Sequence, residues 1–236
     1  MRHPGRVFQY ALLAALLFIV GIGAFWLGFV PQRWNPLSPV SLDEPDAWFI
    51  DFRLAALKRD PELCQVVLRE PHIKATPIVD SGIKKGCGWV NAVRIREVGG
   101  ANISVGRLTC EASAALALWV EQEVQPLAIN MFGSQVASIQ HLGTYACRNI
   151  VGNSKWSKWR SQHSLANAID IAGFRLEDGT QISVATDWRG GSRKARFLRT
   201  IHNGACRYFR VAIGPNFNVA HRDHFHYDRG VLHTCD

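Results

Sequence analysis

The chain contains no C-x-x-C pair and no G-x-S-x-G segment. The first absence argues against a compact cysteine-based metal site or thiolate chemistry, and the second against a serine hydrolase built on a nucleophile elbow. No internal repeat and no low-complexity run interrupts it, so a single domain over residues 46–236 is the simplest account of the globular part. No recognisable nucleic-acid motif is present, and nucleic acid is not an expected partner. Charge is also missing where it matters. From Val7 to Val30 the sequence VFQYALLAALLFIVGIGAFWLGFV carries none, and roughly 20 apolar residues are enough to cross ~30 Å of hydrocarbon as a helix. That run lacks an A-x-A cleavage pattern and exceeds the ~7–15 apolar residues of a signal-peptide core. An uncleaved signal anchor over 7–30 is therefore expected, with residues 1–6 cytoplasmic.

Arg2 and Arg6 precede the run and hold the N-terminus inside, placing everything after it outside. Trp26 and Trp34 suit the outer interface. The cysteines agree: Cys64, Cys87, Cys110, Cys147, Cys206 and Cys235 all follow the anchor and are even in number, as a disulfide framework in an oxidising compartment requires. Their pairing is left open by the sequence. The net charge of +8 is scattered. Its densest cluster, WRGGSRKARFLR at 188–199, reads either as a solvated helix start or as affinity for an anionic polymer or membrane surface.

Residues 31–45, with four prolines, read as an extended linker. Downstream, SVGRLTCEASAALALWVEQEVQPLA predicts a helix that Thr109 caps and Pro126 stops, with Ala112, Leu116, Trp119, Val120 and Val124 on its apolar face. A second helix is expected where Ala195, Leu198 and Ile201 share a face, with Gly204 as terminator. Strands are expected at 89–95, 135–142, 167–174, 181–186 and 224–228, the third and fourth joined by a turn with positive backbone angles at Asp178 and Gly179. This mixture predicts an α+β domain, a mainly antiparallel sheet flanked by helices.

The chemistry concentrates in two segments. In HFHYD, alternation along a strand puts His224, His226 and Asp228 on one face and Phe225 and Tyr227 on the other. Paired imidazoles on a strand are a common beginning of a zinc site. In SQHSLANAIDIAGF, His163 precedes Asp170 by seven residues, and Asp170 interrupts an apolar stretch, where a carboxylate needs a cation or strong donors beside it. An arginine partner or backbone amides would serve it equally. Asp228 either fixes the tautomer of a ligand histidine or pairs with Arg222 or Arg229. His221 is expected on a surface loop, with a place beside the zinc ligands as the alternative; Asp223 is unassigned, and His72, His141, His202 and His233 read as structural or exposed.

Together, SQHSLANAID and HFH resemble the S-x-H-(x)6-D and H-x-H motifs of the lysostaphin, D-Ala-D-Ala peptidase and hedgehog-type zinc fold. GCGW, LTCEASAALALWVEQEVQPLA, YACRN, HSLANAIDIAGF, FLRTIHNGAC and GPNFNVAHRDHFHYD further resemble the bacterial extensin-like C-terminal domain family. The resemblance implies zinc ligands at His163, Asp170 and His226, and His224 as the unliganded histidine that deprotonates the attacking water. It implies Arg148 as a catalytic and substrate-binding guanidinium, and Ser161 as a residue that contacts substrate or supports His163. The general-base Glu of the vancomycin-resistance peptidases is absent, and Asp223 and His224 stand there instead. The resemblance implies a zinc metallopeptidase hydrolysing peptidoglycan peptides, a D,D-carboxypeptidase or endopeptidase, anchored in the bacterial inner membrane with its domain in the periplasm. The alternative expectation is a non-catalytic zinc-containing module that binds cell wall or a partner, its groove lined by aromatics such as Trp156 and Trp159.

Overall fold

The computed structural model describes residues 4–31, 34–35, 38–44, 48–152 and 154–236. Arg2, and the domain boundary expected at 45–46, lie outside the described residues. Helix α1 (Pro4–Trp26) is long and apolar enough to cross a membrane and its apolar span is not buried against the described residues, a description that a signal sequence near an N-terminus also meets. The segment beyond it is not all linker. Val40 and Leu42 are buried in the core, and Arg53 donates to the carbonyls of Ser38 and Pro39, because two apolar side chains gain more from burial than from tethering.

Short helices α2 (Ile50–Ala56) and α3 (Pro61–Val67) lead into strands β1 (Ile73–Pro77), β2 (Ala92–Val98) and β3 (Ala101–Thr109). Helix α4 (Cys110–Trp119) follows, Ala-rich and buried at every position, so it threads the core rather than lying on the surface. Thr109 occupies its N-cap position, but the hydroxyl donates to Asn167 Oδ1 instead of capping. Pro126 does not stop the helix. A π turn over Val120–Val124, closed by the Gln125 N–H on Val120 O, widens the coil just ahead of the proline. Pro126 then enters the first turn of α5 (Gln125–Phe132), where its missing N–H costs nothing.

The remaining elements are β4 (Val136–Gly143), β5 (Ala168–Leu176), β6 (Gln181–Ser183), α6 (Val184–Asp187), α7 (Arg193–Ala205), β7 (Val211–Ile213), β8 (Phe225–Asp228) and β9 (Thr234–Cys235). Among the described residues one sheet runs β1-β2-β3-β4-β5-β8-β7-β9, with β6 also on β5. It is mostly antiparallel; β3–β4 and β7–β9 are parallel. The fourth expected strand is thus half helix, and the turn before it has a positive φ only at Gly179, because Asp178 Oδ1 accepts from Thr180 N and closes the turn by itself. Gly204 does not end α7 either. It lies inside the helix where a Cβ would strike the Glu123 side chain, so close helix contact, not chain reversal, explains the glycine.

The core fills one face of the sheet. Trp119 meets Tyr227 edge-on and Phe174 at a tilt, and donates its Nε1–H to Ile201 O at 2.8 Å, joining α4, β5, β8 and α7. Phe225 and Tyr227 are fully buried against this layer, with His202 stacked on both. All six cysteines pair: Cys64–Cys110, Cys87–Cys147 and Cys206–Cys235.

One ion cluster ties α2 to the end of β8. Asp51 accepts from Arg210 at 2.9 Å through two nitrogens and also from Arg229, whose buried guanidinium holds buried Glu111 as well. The Arg210 hydrogen bonds, against opposing burial and with help from Arg229, pull the Asp51 carboxyl down to about 2 from 3.8. A depressed carboxyl stabilises the fold above its unfolded value and loses that contribution as pH falls through the folded one. Asp51→Asn is therefore expected to lower the melting temperature at pH 7, and the gap from the parent should close between pH 4 and pH 2. Thermal unfolding across that range checks it; a gap that persists unchanged at pH 2 would assign the effect to packing.

Candidate metal centre

Antiparallel pairing of β5 and β8 sets Asp170 directly across from His226 and Ala168 across from Asp228. Since Ile169, Ile171, Phe225 and Tyr227 fill the core face, Asp170, His226 and Asp228 share the opposite one. His163 reaches them from a 3-10 turn over Gln162–Leu165 just before β5. Ser161 begins that turn and its hydroxyl accepts from His163 N at 3.3 Å. Ala166 closes the turn in the left-handed region at φ 51°, redirecting the chain into the strand within two residues.

Three donor atoms converge. His163 Nε2 lies 3.0 Å from Asp170 Oδ1 and 3.1 Å from His226 Nδ1, and His226 Nδ1 lies 2.9 Å from the same oxygen. A tetrahedral site with bonds of about 2.0–2.2 Å separates its ligand atoms by roughly 3.3–3.6 Å. The triangle needs to open by only a few tenths of an ångström. Its electronics point the same way. His226 donates Nε2–H to Asp228 Oδ2 at 3.0 Å, since a carboxylate only accepts, and this leaves the Nδ1 lone pair facing Asp170 and His163. Gly230 N in turn fixes Asp228 Oδ1 at 2.8 Å. With His163 Nε2 also unprotonated, three acceptors would face one another there, and a cation would satisfy all of them. Burial pulls the His226 imidazole down, but the Asp170 and Asp228 carboxylates outweigh it and push it up to about 9. Asp170 shows the converse, with hydrogen bonds from both histidines overcoming burial and holding it far below the carboxylate range. Among the described residues this is the one group of three that could hold an ion.

The neighbouring histidines divide by position. His224 Nε2 stands 3.8 Å from Asp170 Oδ1, beside the triangle and not part of it, while its Nδ1 is held by Asp223 Oδ1 at 2.9 Å. His221 is not on a surface loop. It is buried, with its ring beside those of His224 and His226, because Asn218 caps a 3-10 turn over Val219–His221 and its Oδ1 takes His221 Nδ1 at 2.8 Å. Burial, then the adjoining His226 and His224, lowers its imidazole to about 4. Asp228 belongs to His226 and to neither arginine, for alternation sends Arg229 through the sheet to Glu111 and Asp51.

The profile of the family described as Extensin-like protein C-terminus matches residues 62–236. The chain belongs to that family. No curated protein and no solved structure matches it. Every residue of the triangle and every cysteine of this extensin-like domain lies within the matched span, whereas α1 and α2 precede it.

A cleft opens beside the centre of the extensin-like domain, lined by His226, Asp228 and His221 at its floor. One wall is the segment from Arg148 to Gln162, which carries Trp156, Trp159 and Ser161; the other is the strap from Gly230 to Thr234 after β8. Cys147 precedes Arg148 and is bridged to Cys87, and Cys235 follows the strap and is bridged to Cys206, so a disulfide staples each wall. Arg148 lines the cleft, whereas His224 is not among its lining residues. The tryptophans are neither core nor simple loop anchors; they meet edge-to-face at 5.0 Å over the cleft. Of the residues beside the centre, Asp223 has no assignment from the sequence and His221 reads chiefly as a surface-loop residue. The signal for His221 is Asn218 three positions ahead, a turn cap that brings the ring inward. Removing the Asp228 carboxylate frees the His226 tautomer, so Asp228→Asn is expected to weaken zinc binding about 10–100-fold in a chelator competition; unchanged affinity would place Asp228 in the sheet alone.

Proposed function

We propose that the chain is a membrane-anchored zinc peptidase of the lysostaphin, D-Ala-D-Ala peptidase and hedgehog-type fold, facing the periplasm and hydrolysing peptidoglycan peptides. The observation that carries this reading is the convergence of His163, Asp170 and His226 within 2.9–3.1 Å of one another, with His224 beside them and held by Asp223. These three residues would hold the ion. When bound, zinc supplies a Lewis acid for a peptide carbonyl and makes water acidic enough to attack at neutral pH.

The chain's own residues do the rest. His224 donates Nδ1–H to Asp223, so its Nε2 lone pair faces the centre and accepts the proton of the attacking water, then returns it to the leaving amine. Asp223 positions that ring. His221, neutral at pH 7, adds no positive charge beside a site that gathers a cation. Arg148 offers its guanidinium to a substrate carboxylate along the cleft. Disulfides at both walls and the apolar α1 support export and anchoring.

The test uses the full chain in detergent: metal content is measured, and defined muropeptides are digested before and after chelation and zinc repletion. Near-stoichiometric zinc and cleavage that follows it are expected. Bound zinc without cleavage of any muropeptide would favour the wall-binding module instead, and absence of zinc would end the metal reading.

A further inference from the structure

The first wall of the cleft has a chemistry that the metal centre does not explain. Between Glu123 and Asp170 the sequence has no acidic residue, yet Arg148, Lys155, Lys158 and Arg160 all fall in that interval. Arg148 and Arg160 both line the cleft and are aimed by one residue: Asn149 O takes Arg148 Nη1 at 3.3 Å, and Asn149 Oδ1 takes Arg160 Nη1 at 3.2 Å. Among the described residues no carboxylate pairs with either guanidinium, although the chain pairs Arg210 and Arg229 fully elsewhere. Two unneutralised guanidinia at one cleft call for an anionic ligand.

The same wall is apolar in a particular way. Trp156 and Trp159 stand at 85° to one another, and Trp159 is 53 % exposed, on a stretch otherwise made of lysine, serine and arginine. The backbone bond from Ile150 N to Trp159 O and the Asn149–Arg160 bridge hold the base of this segment as a ladder, so the rings are presented and not merely loose. Trp156 is half-buried, with the Lys155 ammonium 5.3 Å from its ring centroid, and Trp159 is the exposed member of the pair. An exposed indole beside a half-buried one suits a ligand that is apolar on one broad face and hydroxylated at its edge, which describes a pyranose ring better than an aliphatic side chain.

We propose that this wall is a sugar subsite: an amino-sugar ring stacks on the Trp156–Trp159 pair while Arg148 and Arg160 take a carboxylate of the short peptide attached to it. The substrate is then a glycopeptide still joined to its sugar, and not a free peptide. This rests on the peptidase reading for the identity of the peptide, but its test does not need turnover.

Binding to the full chain in detergent is measured by calorimetry for two probes: a muropeptide disaccharide-tetrapeptide, and the same tetrapeptide released from its sugar. The parent is expected to bind the sugar-bearing probe at least roughly ten-fold more tightly, which is the scale of burying one ring face on an indole. Trp156→Ala with Trp159→Ala should erase that preference and leave affinity for the free tetrapeptide unchanged, while Arg148→Gln with Arg160→Gln should weaken both probes. Equal affinity of the parent for the two probes, or binding of neither, overturns the proposal. So does a tryptophan variant that loses both equally. A parent that prefers the sugar-bearing probe but cleaves nothing keeps the subsite and fails the peptidase reading.

Discussion

Asp170→Ala is expected to take zinc content from about one ion per chain to none. Two effects add. The variant loses one of three ligands, and it also loses the one negative charge that offsets a divalent cation among two imidazoles. The loss in affinity should exceed the roughly 10–100-fold that follows removal of an outer partner such as Asp228. A second readout separates this from misfolding. Zinc that binds only the folded parent raises its melting temperature in proportion to the logarithm of free zinc; the variant's melting temperature should not respond. Metal analysis after dialysis and a zinc-dependent melting series are the two measurements. A folded variant that keeps stoichiometric zinc would sink the triangle as the binding site.

His224→Ala is expected to do the reverse, keeping zinc and losing hydrolysis by about 10²–10⁴-fold, the usual worth of a positioned acid–base group. The expectation follows from position: the ring stands 3.8 Å from Asp170 Oδ1, too far to share the ligand triangle, and is oriented from behind by Asp223. Asp223→Asn should cost less, because the ring is retained and only its orientation and proton affinity suffer. The decisive comparison is initial cleavage rate against zinc content in the same preparations. Should His224→Ala lose zinc along with activity, the histidine is a ligand and the proton carrier must be sought elsewhere.

Much of this was legible in the primary structure because strand alternation is a strict rule. HFHYD and NAIDIAGF each declare which residues share a face, and the pairing of β5 with β8 then brings those faces together. The flanking elements were less readable for physical reasons. Strands β1, β7 and β9 show no clear alternation; β7 is buried at every position and β9 is two residues long. Strand β3 does alternate, with Ala101, Ile103 and Val105 inward, but it runs straight into α4 and shares that helix's apolar reading. Helix α4 is buried all round, so no polar face marked its extent, and a π turn carried the chain past Pro126 where local rules predict a stop. The inward turn of His221 depends on Asn218, a side chain whose partner only folding reveals. Disulfide pairing is a matter of spatial meeting, which six scattered cysteines do not announce.

The placement of the two outer disulfides has a consequence for the order of assembly. The ligand triangle is built on hydrogen-bonded strands and a capped turn, none of which needs an oxidant. Both flanks of the groove above it are fastened by bridges at Cys147 and Cys235. On the proposed metal reading, a newly made, still-reduced chain could therefore collect an ion before it owns a shaped mouth. Competence for a large ligand arrives later, with electron acceptors that the cytoplasm withholds.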